Sequence, residues 1–286
     1  MTDKSFSKLE VHKLYKGKVK ILFDREKHIF YHEDMTRIDG VTSATSKLDK
    51  SQQLIVWATR EAARHVLEQT GLISKDYFEC ASEERREKWN RVMTQINERK
   101  LAIDSGELAR IVIDGMNKHR EKKREAANKG KEIHDWIDKW FTFKKKPEMP
   151  EDEKIRNGVL AFLDWYGKSR IKINHTERLV YSVEHNYAGW MDWDGEEEEV
   201  GMAVGDHKSS NGFYTEMRYQ LSAYWHALEE EIGIRVQKGY VVRFGKDDGR
   251  FEVLGITKKE HPKDFRAFVG LLNAKRREDE LSRVTA

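Results

Sequence analysis

Two aspartates and a lysine in the second half of the chain have the types and spacing of a metal-dependent hydrolytic site. Asp192 closes the segment Gly189-Trp190-Met191-Asp192, and Asp206 and Lys208 lie two residues apart further on. Carboxylates are hard oxygen ligands that suit Mg²⁺ or Mn²⁺. An ammonium group beside such an ion offsets the negative charge that develops on phosphorus during phosphodiester hydrolysis. The residue types therefore point to that reaction.

The elements that position these residues are predicted to be neighbouring strands. Apolar alternation indicates strands over 187–193 and 202–207, with Asp194-Gly195 as the turn dipeptide after the first of them. Antiparallel pairing would bring Asp192, at the end of the first strand, beside Asp206 on the second.

Side-chain alternation divides the second of these strands between two faces. Asp206 and Lys208 leave the same face, whereas His207 points the other way and only its backbone carbonyl could reach a metal. An acidic-x-lysine triplet alone usually marks an exposed salt bridge. The apolar strand before it and the second aspartate distinguish this one.

A predicted helix from Thr215 to Glu231 follows. Gln220 and Tyr224 are four residues apart and share one helix face, beside an apolar stripe. They are either a core tyrosine with a glutamine at its edge, or two polar groups that contact a phosphate or orient Lys208.

The order G-x-x-D, D-x-K, Q-x-x-x-Y resembles the PD-(D/E)XK nuclease superfamily, and most closely its RecB-like, phage-type exonuclease branch. The resemblance covers roughly residues 126–256. It implies a restriction-endonuclease-like α/β fold, in which helices flank a mixed central sheet. It also implies that Asp192 and Asp206 are the first and second metal-binding aspartates and that Lys208 is the catalytic lysine. Gln220 and Tyr224 match the family's Q-x-x-x-Y helix and share its catalytic role.

The same branch carries a histidine ligand on an upstream helix, and His134 in Gly130-Lys131-Glu132-Ile133-His134 matches that element. A packing role is the alternative, because His134 lies at the edge of an apolar helix face. Glu177 matches an acidic position on the first core strand. It is either a metal ligand or a solvent-facing residue, and Glu184 is a less favoured substitute.

The cofactor implied by the resemblance is Mg²⁺ or Mn²⁺. Cys80 is the only cysteine, so the four-cysteine iron–sulfur cluster of some relatives is excluded. No proline precedes Asp192, although one is common in the superfamily.

A basic run, Lys118–Lys131, stands out in a chain whose net charge is only +3. It leads into the His134 helix, so we expect its side chains to contact the DNA backbone without sequence preference. The predicted contacts are Lys118, Arg120, Lys122, Lys123, Arg124, Lys129 and Lys131. A solvated helix face is the alternative. Trp190, Trp193 and Tyr214 either stack on unpaired bases or belong to the core.

The chain has 286 residues, 38% of them hydrophobic and 36% charged, enough for a core under a highly charged surface. We predict a mostly helical N-terminal elaboration over 1–115, which begins with a strand hairpin at 18–32, and a nuclease core over 116–286. The absence of a signal peptide or membrane-spanning apolar run predicts a cytoplasmic protein of a bacterial or phage-infected cell, with no membrane partner.

The predicted function is metal-dependent cleavage of DNA, with an exonuclease favoured. Its substrates would be linear ends or single strands, and its setting recombination, repair or replication, in a complex with a partner. Three alternatives remain: a catalytically inactive DNA-binding protein, a structure-guided endonuclease, and a hydrolase of smaller phosphoesters. The intact aspartates and lysine count against the first, and the basic run favours a polymeric substrate over the last.

Overall fold

The strands of the chain assemble into one mixed sheet. The computed structural model describes residues 9–48, 51–70, 82–97 and 105–284. Nine strands lie within this described part. They are β1 Glu10–Leu14, β2 Val19–Asp24, β3 Ile29–Tyr31, β4 Arg37–Gly40, β5 Ile171–Ser182, β6 Tyr187–Glu197, β7 Gly201–Lys208, β8 Lys238–Phe244 and β9 Phe251–Thr257. The order is β1-β2-β3-β4-β6-β7-β8-β9, and β5 also pairs with β6.

Helices flank this sheet, which confirms the predicted mixed α/β class. The described helices are α1 Val41–Thr45, α2 Ser51–Gln69, α3 Ser82–Asn97, α4 Ser105–Phe143, α5 Glu153–Lys168, α6 Thr215–Ile232 and α7 His261–Val284. The predicted hairpin at 18–32 is confirmed as β2 and β3. No helix in the described ranges is both long and apolar enough to cross a membrane.

The chain divides into two compact units. Residues 1–48 and 129–286 form one, which we call the sheet unit, and residues 49–128 form the other, the helical unit. This division differs from the boundary predicted near residue 115. The first strands belong with the later ones because Ile21, Phe23 and Ile38 share a buried cluster with Leu179 and Tyr181.

Strand β6 pairs with β5 along one edge and with two different strands, β4 and β7, along the other. The pairing with β5 is antiparallel. On the opposite edge, β4 pairs parallel with the start of β6 through Gly40 and Ala188. β7 pairs antiparallel with its end, from Trp193 opposite Gly205 onward. Between these two pairings, the backbone of residues 189–192 pairs with neither β4 nor β7. We call this opening the β6–β7 fork.

Successive side chains of β7 point alternately into two different buried clusters, one on each face of the sheet. Val204 packs in the cluster that includes α6 and α7, whereas Ala203 packs in the cluster that includes α5 and the end of α4. By the same alternation Asp206 faces α6 and His207 faces α5. Burial of the strand therefore fixes which polar residues reach the fork.

The predicted turn at Asp194-Gly195 is wrong, because both residues lie inside β6 and the turn follows at 198–200. Asp194 is buried and accepts hydrogen bonds from His175 and Arg178. A Cβ on Gly195 would lie 2.5 Å from the carbonyl oxygen of Lys172, so the glycine permits close approach of β5. Asp192 is consequently in mid-strand rather than at a strand end.

Candidate metal centre

Asp192 lies at the β6–β7 fork, where its carboxylate joins two elements. One oxygen accepts a hydrogen bond from the backbone amide of His207 on β7. The other lies 3.6 Å from Nδ1 of His134 on α4. The Asp192 carboxylate therefore pairs with the His207 amide, which has no backbone partner on β6, and it also lies close to the His134 imidazole.

Glu177 completes a group of three potential metal ligands. His134, Glu177 and Asp192 each offer a ligand atom, and these atoms lie within 4.8 Å of one another. Glu177 occupies the register position opposite Asp192 but has a left-handed φ of 46°. That conformation costs a non-glycine residue about 1–2 kcal/mol and interrupts the strand pairing. The strain is located at the one β5 residue whose carboxylate joins the group.

Asp206 and Lys208 form a second group with the α6 side chains. Nζ of Lys208 lies 2.5 Å from Oδ2 of Asp206 and donates a hydrogen bond to Oε1 of Gln220 at 3.3 Å. The Gln220 amide donates to Oδ1 of Asp206 at 3.3 Å and to the Tyr224 hydroxyl at 2.9 Å. Gln220 thus links every member of this group, and the predicted sharing of a face by Gln220 and Tyr224 is observed.

His134 and Asp192 each shift the pKa of the other towards its charged form. Burial alone would raise the pKa of Asp192, but the nearby positive charge of His134 holds that pKa below its ordinary value. Burial would likewise lower the pKa of His134, and the Asp192 carboxylate outweighs it and raises that pKa. The two groups stabilise each other as an ion pair.

The other two carboxylates resist ionisation. Burial, helped by the charge of Asp192, raises the pKa of Asp206 to about 6 against the pull of Lys208. Enclosure of its carboxylate and the same Asp192 charge raise the pKa of Glu177 to about 7, although the residue as a whole is exposed. Mutual repulsion of this kind is what a divalent cation relieves.

Lys208 keeps its proton at this site. Burial would lower its pKa, but the charges of Asp206 and Asp192 raise it above the ordinary lysine value. The site therefore presents an ammonium group next to its carboxylates over the whole neutral range.

His207 has a packing role through its side chain. Its ring centroid lies 5.7 Å from those of Phe162 and Trp165 and 5.0 Å from that of Phe244. Burial lowers the pKa of its imidazole to about 3, so the ring is neutral. Metal coordination by its backbone carbonyl stays a prediction.

Gly189, the first residue of the G-x-x-D motif, allows Tyr224 to approach β6. A Cβ on Gly189 would lie 2.6 Å from Cε1 of Tyr224 and 3.0 Å from Cγ2 of Val41. The motif's glycine and the tyrosine of the Q-x-x-x-Y helix are therefore in direct contact.

The first strands contribute a wall to the site that the sequence motifs do not reveal. A cavity of ≈ 340 Å³ borders Gln220 and Tyr224 and is lined on its far side by Arg37, Thr42 and Ser43.

The predicted DNA contacts all lie on α4. Lys129 and Lys131 belong to the sheet unit, and the other five belong to the helical unit. Three of them pair with carboxylates: Lys118 with Glu121, Lys122 with Glu61, and Lys129 with Asp152. The exposed ones include Arg120, Lys123, Arg124 and Lys131.

Of the three aromatics considered for base stacking, Trp193 is fully buried, so that hypothesis is wrong for it. Trp190 packs against the rings of His12 and Phe23. Tyr214 is 42% exposed. Cys80 lies outside the described residues.

The chain matches no protein-family model and no curated protein sequence. Among solved structures, it shows similarity to the crystal structure of SSO0001, with 16% identity over 41% of this chain and a TM-score of 0.26. The chain spans about half the length of SSO0001, 54%.

Proposed function

We propose that the protein is a metal-dependent DNA nuclease with a restriction-endonuclease-like core, and that it cuts from strand ends. One observation carries the proposal. At the β6–β7 fork, Asp192 of the ligand group His134, Glu177 and Asp192 accepts a hydrogen bond from the backbone amide of His207. His207 lies between Asp206 and Lys208, whose side chains form an ion pair.

The donor set fits Mg²⁺ or Mn²⁺. One imidazole nitrogen and carboxylate oxygens suit Mn²⁺ in particular, and the carboxylates alone suit either ion. His134, Glu177 and Asp192 would hold the ion, with Asp206 as the nearby second aspartate. When bound, it would activate a water and polarise the scissile phosphate.

The side chains around Lys208 fix its position. Asp206 holds the ammonium by charge, and Gln220 accepts a hydrogen bond from it while donating to Tyr224. A pre-positioned ammonium stabilises the negative charge that grows on the phosphate oxygens, without reorganising when the reaction occurs. The glutamine and tyrosine act as positioning residues.

A polyanionic substrate is favoured by the charge on α4. Exposed basic side chains follow one another along this helix, and acidic partners neutralise only part of the run. Phosphate contacts by such residues release counterions, so cleavage should slow steeply as salt rises.

The experiment that tests this function compares end-labelled linear DNA with covalently closed circles, in Mg²⁺ and in Mn²⁺. We expect progressive degradation of linear DNA and survival of circles, with Lys208→Ala as the inactive control. Rapid Lys208-dependent nicking of circles would instead indicate an endonuclease. DNA binding without cleavage of either form would indicate an inactive nuclease fold.

A further inference from the structure

A second cluster of metal-binding side chains lies outside the candidate metal centre. Glu184 and His185 occupy the turn between β5 and β6, and His226 faces them from α6. Their ligand atoms lie within 4.8 Å of one another. Nε2 of His185 and Nε2 of His226 are 3.7 and 3.9 Å from the two carboxylate oxygens of Glu184.

The His226 ring is held in place but its nitrogen is not used. The ring stacks on Phe265 at 3.9 Å between centroids, and the His185 ring meets the same phenylalanine edge-on at 5.2 Å. Nε2 of His226 is buried and has no hydrogen-bond partner among the described residues. A buried polar atom without a partner costs about 1–3 kcal/mol, and a metal ion bound to this nitrogen would remove that cost.

The turn that carries the other two ligands is rigidly attached to α6. Glu230 of α6 accepts hydrogen bonds from the backbone amides of Val183 and Glu184 and from the hydroxyl of Ser182. The Ser182 hydroxyl in turn accepts a hydrogen bond from the backbone amide of His185. The two histidines are therefore presented from preorganised backbone, and only the exposed Glu184 side chain needs to adjust.

We propose that Glu184, His185 and His226 bind a transition-metal ion, for which Zn²⁺ is the best-fitting candidate. Two imidazoles and one carboxylate are a ligand set typical of zinc, which accepts water as its fourth ligand. A cleft of ≈ 290 Å³ lined by His226, Glu229 and Glu230 leaves room for that water. The ion would cross-link the β5–β6 turn to α6 and stabilise the fold.

This site is independent of the proposed nuclease activity. The ion would join α6, which carries Gln220, to the turn that precedes β6, the strand of Asp192. None of its ligands belongs to the group around Lys208. Its occupancy is therefore measured by metal binding and stability rather than by cleavage.

The test is calorimetric titration of the full-length protein with Zn²⁺ in saturating Mg²⁺, together with the thermal midpoint with and without Zn²⁺. The variants are Glu184→Gln, His185→Gln and His226→Phe, the last of which keeps a ring against Phe265. His134→Ala distinguishes this site from the candidate metal centre, and Glu198→Gln is the matched control on another turn.

We expect one Zn²⁺ site in the wild type that survives His134→Ala and Glu198→Gln. Each of the three ligand variants should weaken that site on the order of tenfold or more and remove the Zn²⁺-dependent rise in midpoint. If His226→Phe does not fold, the two turn variants decide. Unchanged Zn²⁺ affinity in Glu184→Gln and His185→Gln would overturn the proposal, as would loss of the site in His134→Ala.

Discussion

At the scale of residues, the candidate metal centre is a balance of charges that its members impose on one another. Asp192 is stabilised as an anion by His134, whereas Asp206 and Glu177 are driven towards their neutral forms. Lys208 offsets part of this repulsion through Asp206. The site is therefore least stable when all of its carboxylates are ionised and no cation is bound.

Lys208→Ala and Asp206→Ala should each reduce DNA cleavage by roughly a hundredfold or more, the usual loss when one key transition-state stabiliser is removed. Initial rates on end-labelled linear DNA measure the effect, and circular dichroism verifies the fold. Lys172→Ala, an exposed lysine on β5, is the matched control. Wild-type rates in both site variants would remove Asp206 and Lys208 from the catalytic site.

His134→Ala should weaken Mn²⁺ binding more than Mg²⁺ binding, because imidazole suits Mn²⁺ better than it suits Mg²⁺. Calorimetric titration with each ion measures the change. Equal affinities in the variant and the wild type would indicate a packing role for His134 and leave Asp192 and Asp206 as the metal ligands.

The raised pKa values of Glu177 and Asp206 should lower the stability of the metal-free protein as pH rises, and this loss should dominate between about pH 6.5 and about pH 8. Below about pH 6.5 the lowered pKa of the buried His207 acts in the opposite direction. The pKa values of Glu177 and Asp206 in the folded state, about 7 and about 6, exceed their ordinary values of 4.5 and 3.8. A raised carboxyl pKa favours folding at low pH, and that contribution disappears as pH passes the folded value. The raised pKa of His134 acts in the same direction.

Thermal midpoints across this pH range, with chelator and then with Mg²⁺, measure the effect. Mg²⁺ should flatten the decline because it pairs the ionised carboxylates, and Asp206→Asn should flatten it without metal. A metal-free wild-type midpoint that falls no more than that of Asp206→Asn over this interval would contradict the assignment.

At the scale of elements, periodicity made some of the site predictable. The alternation along β7 places Asp206 and Lys208 on the α6 side and His207 on the α5 side, as the sequence pattern predicts. The four-residue spacing on α6 likewise predicts that Gln220 and Tyr224 meet, and their hydrogen bond is 2.9 Å long. Both features depend only on local geometry.

Other features of the site depend on contacts between distant segments. The left-handed backbone of Glu177 has no signal in its own residue type, which disfavours that conformation. The Asp194-Gly195 dipeptide is typical of turns, yet the partners of Asp194 on β5 keep it in a strand. The pairing of β4 with β6 joins segments with no local relation in sequence.

Gly205 of β7 tests how closely this strand packs against Trp193 of β6, at the first residue pair of the β6–β7 pairing. A Cβ at this position would lie 1.9 Å from Cε2 of the buried Trp193. Gly205→Ala should therefore lower the free energy of unfolding by about 1–3 kcal/mol. Adding Trp193→Phe should recover part of the loss, since the smaller ring leaves space for the methyl group.

Chemical denaturation measures both variants. Gly270→Ala is the control, because nothing lies within 4 Å of a Cβ in that helical position. It should raise stability by roughly 0.5–1 kcal/mol. A neutral Gly205→Ala would show that the two strands are farther apart than described.

At the scale of the whole molecule, the first strands and the site belong to one folding unit. Residues 1–48 group with 129–286, and the cluster around Phe23 and Ile38 covers the β5 residues Leu179 and Tyr181. The sheet unit is thus assembled from two segments of the chain that the helical unit separates in sequence.

A fragment of residues 116–286 should consequently fail to unfold cooperatively, although it contains every motif of the site. Without residues 1–48 it exposes the apolar side chains of β5 and leaves the start of β6 unpaired. Thermal unfolding followed by circular dichroism tests this, and adding a peptide of residues 9–48 should restore part of the transition. A cooperative transition in the fragment alone would show that residues 116–286 fold as a complete unit without the first strands.

The pairing of β4 with β6 also sets an order in time. About 150 residues separate the two strands in the chain. At roughly 5–20 residues per second on the ribosome, β4 would wait roughly 7 to 30 seconds for its partner to be synthesised. His134 emerges before Asp192, and Asp192 before Lys208. A nascent chain therefore holds no complete candidate site until β7 and α6 have left the ribosome.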